Sequence, residues 1–245
     1  MADIVIATIN ARYSHASFGL RYLLANMGDL QERTRMIEFD LKTSAATVAE
    51  TLLAARPRVL GLGVYIWNAT QTLDVVRLIR AQQPDLPLIL GGPEVSHEIE
   101  DQAICALADY VITDEADLAF PALCRSLLAG ERPAGRIIRG GSVDVRKLEL
   151  PYGLYTGEDI AHRVIYVEAS RGCPFTCEFC LSSLDVPVRR FPLERLLPAF
   201  QDLLDRGVRH FKFVDRTFNL SIKYSLELLG FFLARYQPGL FLHFE

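Results

Sequence analysis

Three cysteines fall within eight residues, in the run Ser170-Arg171-Gly172-Cys173-Pro174-Phe175-Thr176-Cys177-Glu178-Phe179-Cys180-Leu181. The C-x3-C-x2-C spacing puts three thiolates on one tight loop, able to hold three corners of a four-iron cubane and leave the fourth iron without a protein ligand. An open metal position is what chemistry needs, whereas structural sites are normally closed. Gly172 permits close backbone approach, and Arg171 adds positive charge beside an anionic cluster. A zinc site made of the same cysteines and a histidine is the competing reading, but His162 and His210 do not stand at finger-like spacing. The two other cysteines, Cys105 and Cys124, lie among Ala, Ile and Leu and read as small buried hydrophobes. An odd cysteine count with three clustered is a poor disulfide framework and suits a reducing compartment.

The cysteine loop follows an apolar, β-branched run at 164–169. That strand belongs to a longer alternation of short β-branched runs and amphipathic stretches, the pattern of parallel strands crossed over by helices. Strands are predicted at about 3–9, 34–39, 58–66, 87–90 and 109–113, and helices at about 16–27, 44–55, 69–82, 96–107 and 117–129. Five such units fit an α/β fold, a flavodoxin-like doubly wound parallel sheet that holds its ligand at the carboxyl ends of the strands. Residues 131–163 are rich in Gly and Pro and read as a linker between a domain at 1–130 and a second at 164–245. The second domain continues with a helix at 192–206, a strand at 209–214, a helix at 221–235 and an apolar strand-like end at 240–244. Two βα units and a strand leave a parallel sheet with an open apolar edge, which predicts an incomplete barrel.

Half of the residues are hydrophobic, so a sizeable core is expected. The net charge of −4 comes without a basic block, so nothing points to nucleic acid or an anionic membrane as partner. The N-terminal run has an acid where a signal peptide wants positive charge and is too short to span a bilayer, which predicts a cytoplasmic protein.

At Cys173, Cys177 and Cys180, with the aromatic Phe179 just before the last cysteine, the sequence resembles the radical S-adenosylmethionine (SAM) superfamily. The resemblance covers about the last 85 residues and implies a radical SAM (β/α) partial barrel, of which the first part is present. It implies a [4Fe-4S] cluster whose open iron is chelated by SAM, and one-electron cleavage of SAM to methionine and a 5′-deoxyadenosyl radical. By the same resemblance Phe179 sits beside the adenine, its alternative being an ordinary core aromatic. The end of the second barrel strand, Phe213 to Asn219, is where the family often places SAM-binding groups. There Asp215 is a candidate acceptor for the SAM ammonium or, alternatively, a helix N-terminal acid. The usual Gly-Gly-Glu wording is absent. Glu168 and Ser170 flank Ala169 and are expected to face the lumen together as further SAM contacts.

A doubly wound domain ahead of this loop resembles the cobalamin-dependent radical SAM enzymes. The segments that carry this lie at predicted carboxyl strand ends: Asn10 to Gly19 with Ser14 and His15, then Tyr65-Ile66-Trp67-Asn68, then Gly91-Gly92-Pro93-Glu94, then Asp114-Glu115-Ala116-Asp117. The resemblance implies that Ser14, His15, Tyr65, Trp67, Asn68, Gly91, Gly92, Glu94, Asp114 and Glu115 contact cobalamin. Glycines 91 and 92 leave room for a corrin edge or make a simple tight turn; Tyr65 and Trp67 offer flat apolar surface or buried packing. His15 departs from the Asp-x-His-x-x-Gly pattern of axial-ligand histidines, because Tyr13 stands at the Asp position and Gly19 is one place late. No carboxylate orients its imidazole, so two alternatives stand: cobalamin held without a histidine ligand, or a domain that no longer binds it. Gly61-Leu62-Gly63 lies inside a strand and reads as close packing rather than a phosphate loop.

Three functions follow as expectations. The first is an enzyme that combines methylcobalamin with SAM to methylate an unactivated carbon, served by a reducing partner such as flavodoxin or ferredoxin. The second is a cobalamin-independent, methylthiotransferase-like radical SAM enzyme whose front domain only recognises substrate or a partner. The third is a non-catalytic fragment. The sequence does not name the substrate.

Overall fold

The computed structural model describes residues 2–184 and 187–244. The chain forms two compact units, Met1–Val143 and Asp144–Glu245. In the first, β1 (Ile4–Asn10), α1 (Phe18–Ala25), β2 (Thr34–Asp40), α2 (Ala45–Ala54), β3 (Val59–Gly63), α3 (Ala69–Gln82), β4 (Leu88–Gly91), α4 (Ala103–Leu107), β5 (Tyr110–Thr113), α5 (Ala119–Leu128) and β6 (Ile137–Arg139) alternate. All strands run parallel, in the order β2-β1-β3-β4-β5-β6. This is the doubly wound, flavodoxin-like sheet with one further edge strand.

The period of two along each strand feeds two separate cores. Val5, Ala7, Ile9, Leu60, Leu62 and Val111 meet α2, α3 and α4 on one face. Ile4, Ile6, Val59, Ile89, Tyr110 and Ile112 meet Leu20 of α1 and Phe120, Leu123, Cys124 and Leu127 of α5 on the other. Every residue of β1 is buried, as a central strand covered on both faces requires. Gly61 is glycine for this reason: an added Cβ would lie 2.7 Å from the Phe120 ring.

Three elements differ from expectation. The fourth helix, expected over 96–107, is confined to Ala103–Leu107. The Gln102 amide donates to the carbonyls of Glu94 and His97, and Glu98 is left-handed, so the residues before it fold into tight turns. The third strand ends at Gly63 because Asn68 Oδ1 accepts from the Tyr65 backbone N–H and turns the chain. The stretch 131–163 contributes to both units: β6 adds to the first sheet, and Thr156 and Asp159 form a capping box that starts α6 (Gly157–His162) in the second.

The second unit continues with β7 (Ile165–Val167), β8 (Ser170–Arg171), β9 (Arg189–Arg190), α7 (Leu193–Asp205), β10 (His210–Phe213), α8 (Ile222–Leu233) and β11 (Phe241–His243). β11, β10 and β7 make a parallel sheet, and β8 and β9 an antiparallel pair. Phe211 and Phe213 of β10 pack on Phe200 of α7 and Phe232 of α8 in edge-on contacts. This puts the helices on one face of the sheet. The outer edge of β7 is covered by two phenols: the Tyr152 hydroxyl bonds both N–H and carbonyl of Glu168, and the Tyr155 hydroxyl those of Tyr166. Two hydroxyls thus do for this edge what a neighbouring strand would do.

Candidate functional site

In the first unit the strand order reverses between β1 and β3, so the loops after them flank the crevice where a doubly wound sheet takes its ligand. The two loops are tied together. Asn68 is fully buried and donates from Nδ2 to the carbonyl of Ile9 at 2.9 Å, with Thr8 Oγ1 and the Gly63 carbonyl at 3.3 Å. Its side chain does not cap α3. Trp67 Nε1 donates to the same Ile9 carbonyl at 3.1 Å, and the Trp67 ring stacks on Tyr65 with centroids 4.6 Å apart and planes 7° apart. Trp67 remains 46% exposed, so the stack presents one flat apolar face outward. Burial pushes the Tyr65 phenol up in pKa, opposed by its hydrogen bond with Ser17.

The remaining candidates of this unit take distinct places. Ser14 and His15 lie half-buried in the loop after β1, where the His15 N–H donates to the Arg12 carbonyl at 3.0 Å. Gly92, at φ +109, would place a Cβ 2.4 Å from the Val64 carbonyl oxygen, so the chain's own turn demands glycine there. Gly91 meets only the Ile112 carbonyl, at 3.7 Å. The Glu94 N–H donates to the Val64 carbonyl, joining the loops after β4 and β3. Asp114 is left-handed, and Glu115 accepts from the Val143 N–H at 2.6 Å. All four segments thus stand at the carboxyl ends of their strands.

In the second unit the cysteine loop leaves β8 and returns at β9. Cys173 is buried, Cys180 half-buried and Cys177 exposed. The structure places the three thiols on one loop without gathering them: among the described residues no three Cys, His, Asp or Glu side chains are arranged to hold a metal ion. The donor set still suits an iron–sulfur cluster, with three soft ligands at short spacing and no histidine among them. Phe179 is 94% exposed, which removes the core-aromatic alternative. A cavity of about 160 Å³ lies at the base of the loop, lined by Glu168, Ser170, Arg171, Gly172, Ser182, Val214 and Arg216. Glu168 and Ser170 share it, as their spacing predicts, and Glu168 accepts from Arg171 Nε at 3.0 Å. Asp215 sits behind it, 1% exposed, accepting from the Ala169 N–H at 2.9 and 3.1 Å and from Ser170 Oγ at 2.6 Å. Burial raises its pKa, and the bond from Ser170 opposes the rise.

Residues 4–124 match the family described as B12 binding domain. The chain is 27% identical over 191 residues to the 2-(S-pantetheinyl)-carbapenam-3-carboxylate methyltransferase of Streptantibioticus cattleyicolor, covering 67% of this chain and 28% of that protein. Over 183 residues it is 27% identical to TokK, a cobalamin-dependent radical SAM methyltransferase of Streptomyces tokunonensis, covering 63% and 26%. Its fold matches that of the radical SAM methyltransferase TsrM from Kitasatospora setae, whose structure holds cobalamin and a [4Fe-4S] cluster. That match has a TM-score of 0.72 and 18% identity, covering 96% of this chain and 51% of that one. The match to the B12 binding domain family lies in the first unit, and the chain as a whole shares the fold of TsrM. The chain spans less than a third of the two curated relatives and about half of TsrM.

In the first unit, sequence reasoning missed a buried ion pair that holds the loop after β1. Arg21 Nη2 of α1 lies 3.0 Å from Glu38 Oε2 of β2, with side chains 2% and 8% exposed. Glu38 Oε1 also accepts from Asn10 Nδ2 at 2.9 Å and from the Ser17 N–H at 2.5 Å, while Arg21 Nη1 donates to the Ser17 carbonyl. Both ends of the His15 loop are therefore pinned by one carboxylate. A charged residue on an amphipathic stretch reads as solvent-facing, so no local pattern announces this pair. Among the described residues no helix is long and apolar enough to cross a membrane.

Proposed function

We propose that the chain holds a cobalamin over the carboxyl ends of β1, β3, β4 and β5 and a [4Fe-4S] cluster on Cys173, Cys177 and Cys180 with SAM beside it, serving methyl transfer to an unactivated carbon. When bound, the cluster and SAM supply one-electron cleavage chemistry, and cobalamin supplies a transferable methyl group. Ser14, His15, Tyr65, Trp67, Gly91, Glu94, Asp114 and Glu115 are the residues that would meet cobalamin, while Gly92 serves the turn against Val64. The exposed Trp67 face offers apolar stacking area, while Asn68 acts from behind by fixing the loop that carries it. Glu168 and Ser170 offer acceptors to the SAM ammonium in the 160 Å³ cavity, Arg171 and Arg216 offer donors to its carboxylate, and Phe179 is free to cover the adenine. The reduced state requires an electron donor such as flavodoxin or ferredoxin and a cytoplasmic, reducing setting.

The observation that carries this reading is a three-cysteine loop whose first residues line a polar cavity, in a chain that also has a B12-binding domain. Anaerobic reconstitution with iron and sulfide, followed by hydroxocobalamin, tests it. The expected product binds about four irons per chain. It should show corrin absorbance that survives desalting and quenching of Trp67, the single tryptophan. Cys173→Ser, Cys177→Ser or Cys180→Ser should each abolish the iron and spare the corrin bands. Zinc in place of iron, or a colourless first unit, overturns the respective half of the proposal.

A further inference from the structure

Ala169 is the last residue before the cysteine loop's β8, and each of its backbone groups is taken. Its N–H donates to both oxygens of Asp215, at 3.1 and 2.9 Å. Its carbonyl accepts from the Phe191 N–H at 3.0 Å, and Phe191 is the residue just after β9. The Tyr224 hydroxyl of α8 lies 3.0 Å from that carbonyl and 2.7 Å from the Phe191 carbonyl, so one phenol proton faces both ends of the loop. The pairs Ser170 with Arg190 and Arg171 with Arg189 complete the neck. Ser170 Oγ also donates to Asp215 at 2.6 Å.

We infer that Asp215 and Tyr224 are positioning residues that clamp the neck of the cysteine loop, so that the three thiols need only gather within a loop whose ends are already fixed. The inference rests on the cluster reading of that loop. A cluster that binds three sulfurs must order the chain between them, and closing a loop costs less entropy when its ends already meet. The clamp also sets the cavity. Val214 and Arg216, on either side of Asp215, line one wall, and Ser170 to Gly172 line the other, so the Asp215 bonds to Ala169 and Ser170 hold the two walls together. Asp215 is thereby assigned to the loop's backbone rather than to the SAM ammonium. Burial, with Asp215 nearby, raises the Tyr224 pKa and keeps the phenol a donor, and Arg190 lies 5.9 Å from its ring centroid.

The test compares the full chain with Tyr224→Phe, Asp215→Asn and Tyr155→Phe after anaerobic reconstitution. Tyr155→Phe removes the same kind of phenol-to-backbone bond at the β7 edge, away from the neck, and controls for stability alone. Iron release to a chelator and the electron paramagnetic resonance signal of the reduced cluster, with and without SAM, are the readouts. Tyr224→Phe and Asp215→Asn should release iron faster by about three- to tenfold, the factor one hydrogen bond carries, and weaken the SAM-induced spectral change. Tyr155→Phe should lower the melting temperature while leaving both readouts as in the unsubstituted chain. Equal release rates and spectra in Tyr224→Phe and the unsubstituted chain overturn the clamp while the cluster stands. An unsubstituted chain that takes up no cluster overturns the cluster reading, and the clamp with it.

Discussion

Replacing Glu38 by alanine removes the carboxylate that lies 3.0 Å from Arg21 Nη2 and leaves that guanidinium, 2% exposed, in the core of the first unit. Breaking a buried ion pair from one side costs about 3–5 kcal/mol, because the remaining charge loses its counter-ion without gaining water. For a unit of this size each kcal/mol is worth about 2–4 °C, so Glu38→Ala should lower the unfolding midpoint by about 6–20 °C. Trp67 is the single tryptophan and lies in this unit, so its fluorescence follows the transition without a label. The double substitution Arg21→Met with Glu38→Gln removes both charges and keeps an acceptor for the Ser17 N–H, and should recover most of the loss. Glu38→Ala within 1 kcal/mol of the parent, or a double variant no better than the single one, would refute the buried-charge argument. Cobalamin affinity should fall in Glu38→Ala even below the transition, since Asn10 and Ser17 lose the group that pins the His15 loop.

Gly140→Ala places a Cβ 1.9 Å from the Glu115 carbonyl oxygen, and urea unfolding should show a loss of about 1–3 kcal/mol from overpacking. Alkylation of the folded apo chain at pH 8 should label exposed Cys177 first and spare Cys105 and Cys124, as peptide mapping will read. Burial raises both of these thiols, Cys124 to about 12. The same shift fixes a sign: the folded chain keeps a proton on Cys124 that the unfolded chain releases near 9.0. Its contribution to stability is therefore complete below pH 9.0 and lost as pH rises towards 12, which unfolding midpoints across that window will test. Phe179→Ala should leave the melting temperature unchanged, since the ring packs on little, while weakening SAM binding to the reconstituted chain in calorimetry.

The alternation of β-branched runs and amphipathic stretches was enough to place the doubly wound sheet, because a central parallel strand must be apolar throughout and its helices must carry one apolar stripe. The cysteine spacing is likewise legible in the sequence, since residue identity and loop length are local properties, but the fold leaves the three thiols ungathered. The period of two along a strand predicts Glu168 and Ser170 on one face; they do line one cavity, although β7 ends at Val167 and β8 begins at Ser170. Sequence alone could not show that Asn68, Asp215 and Glu38 spend their polar atoms on the protein. Their partners, Ile9, Ala169 and Arg21, stand 59, 46 and 17 residues away. β6 escaped the sequence because three residues with an edge position carry too short a pattern, and only pairing with β5 makes them a strand. Gly92 looked like room for a ligand until the fold brought Val64 against it. What the chain encodes locally is periodicity and residue type. Which polar group meets which is decided when long-range closure removes water from them and leaves buried donors to find their acceptors within the protein.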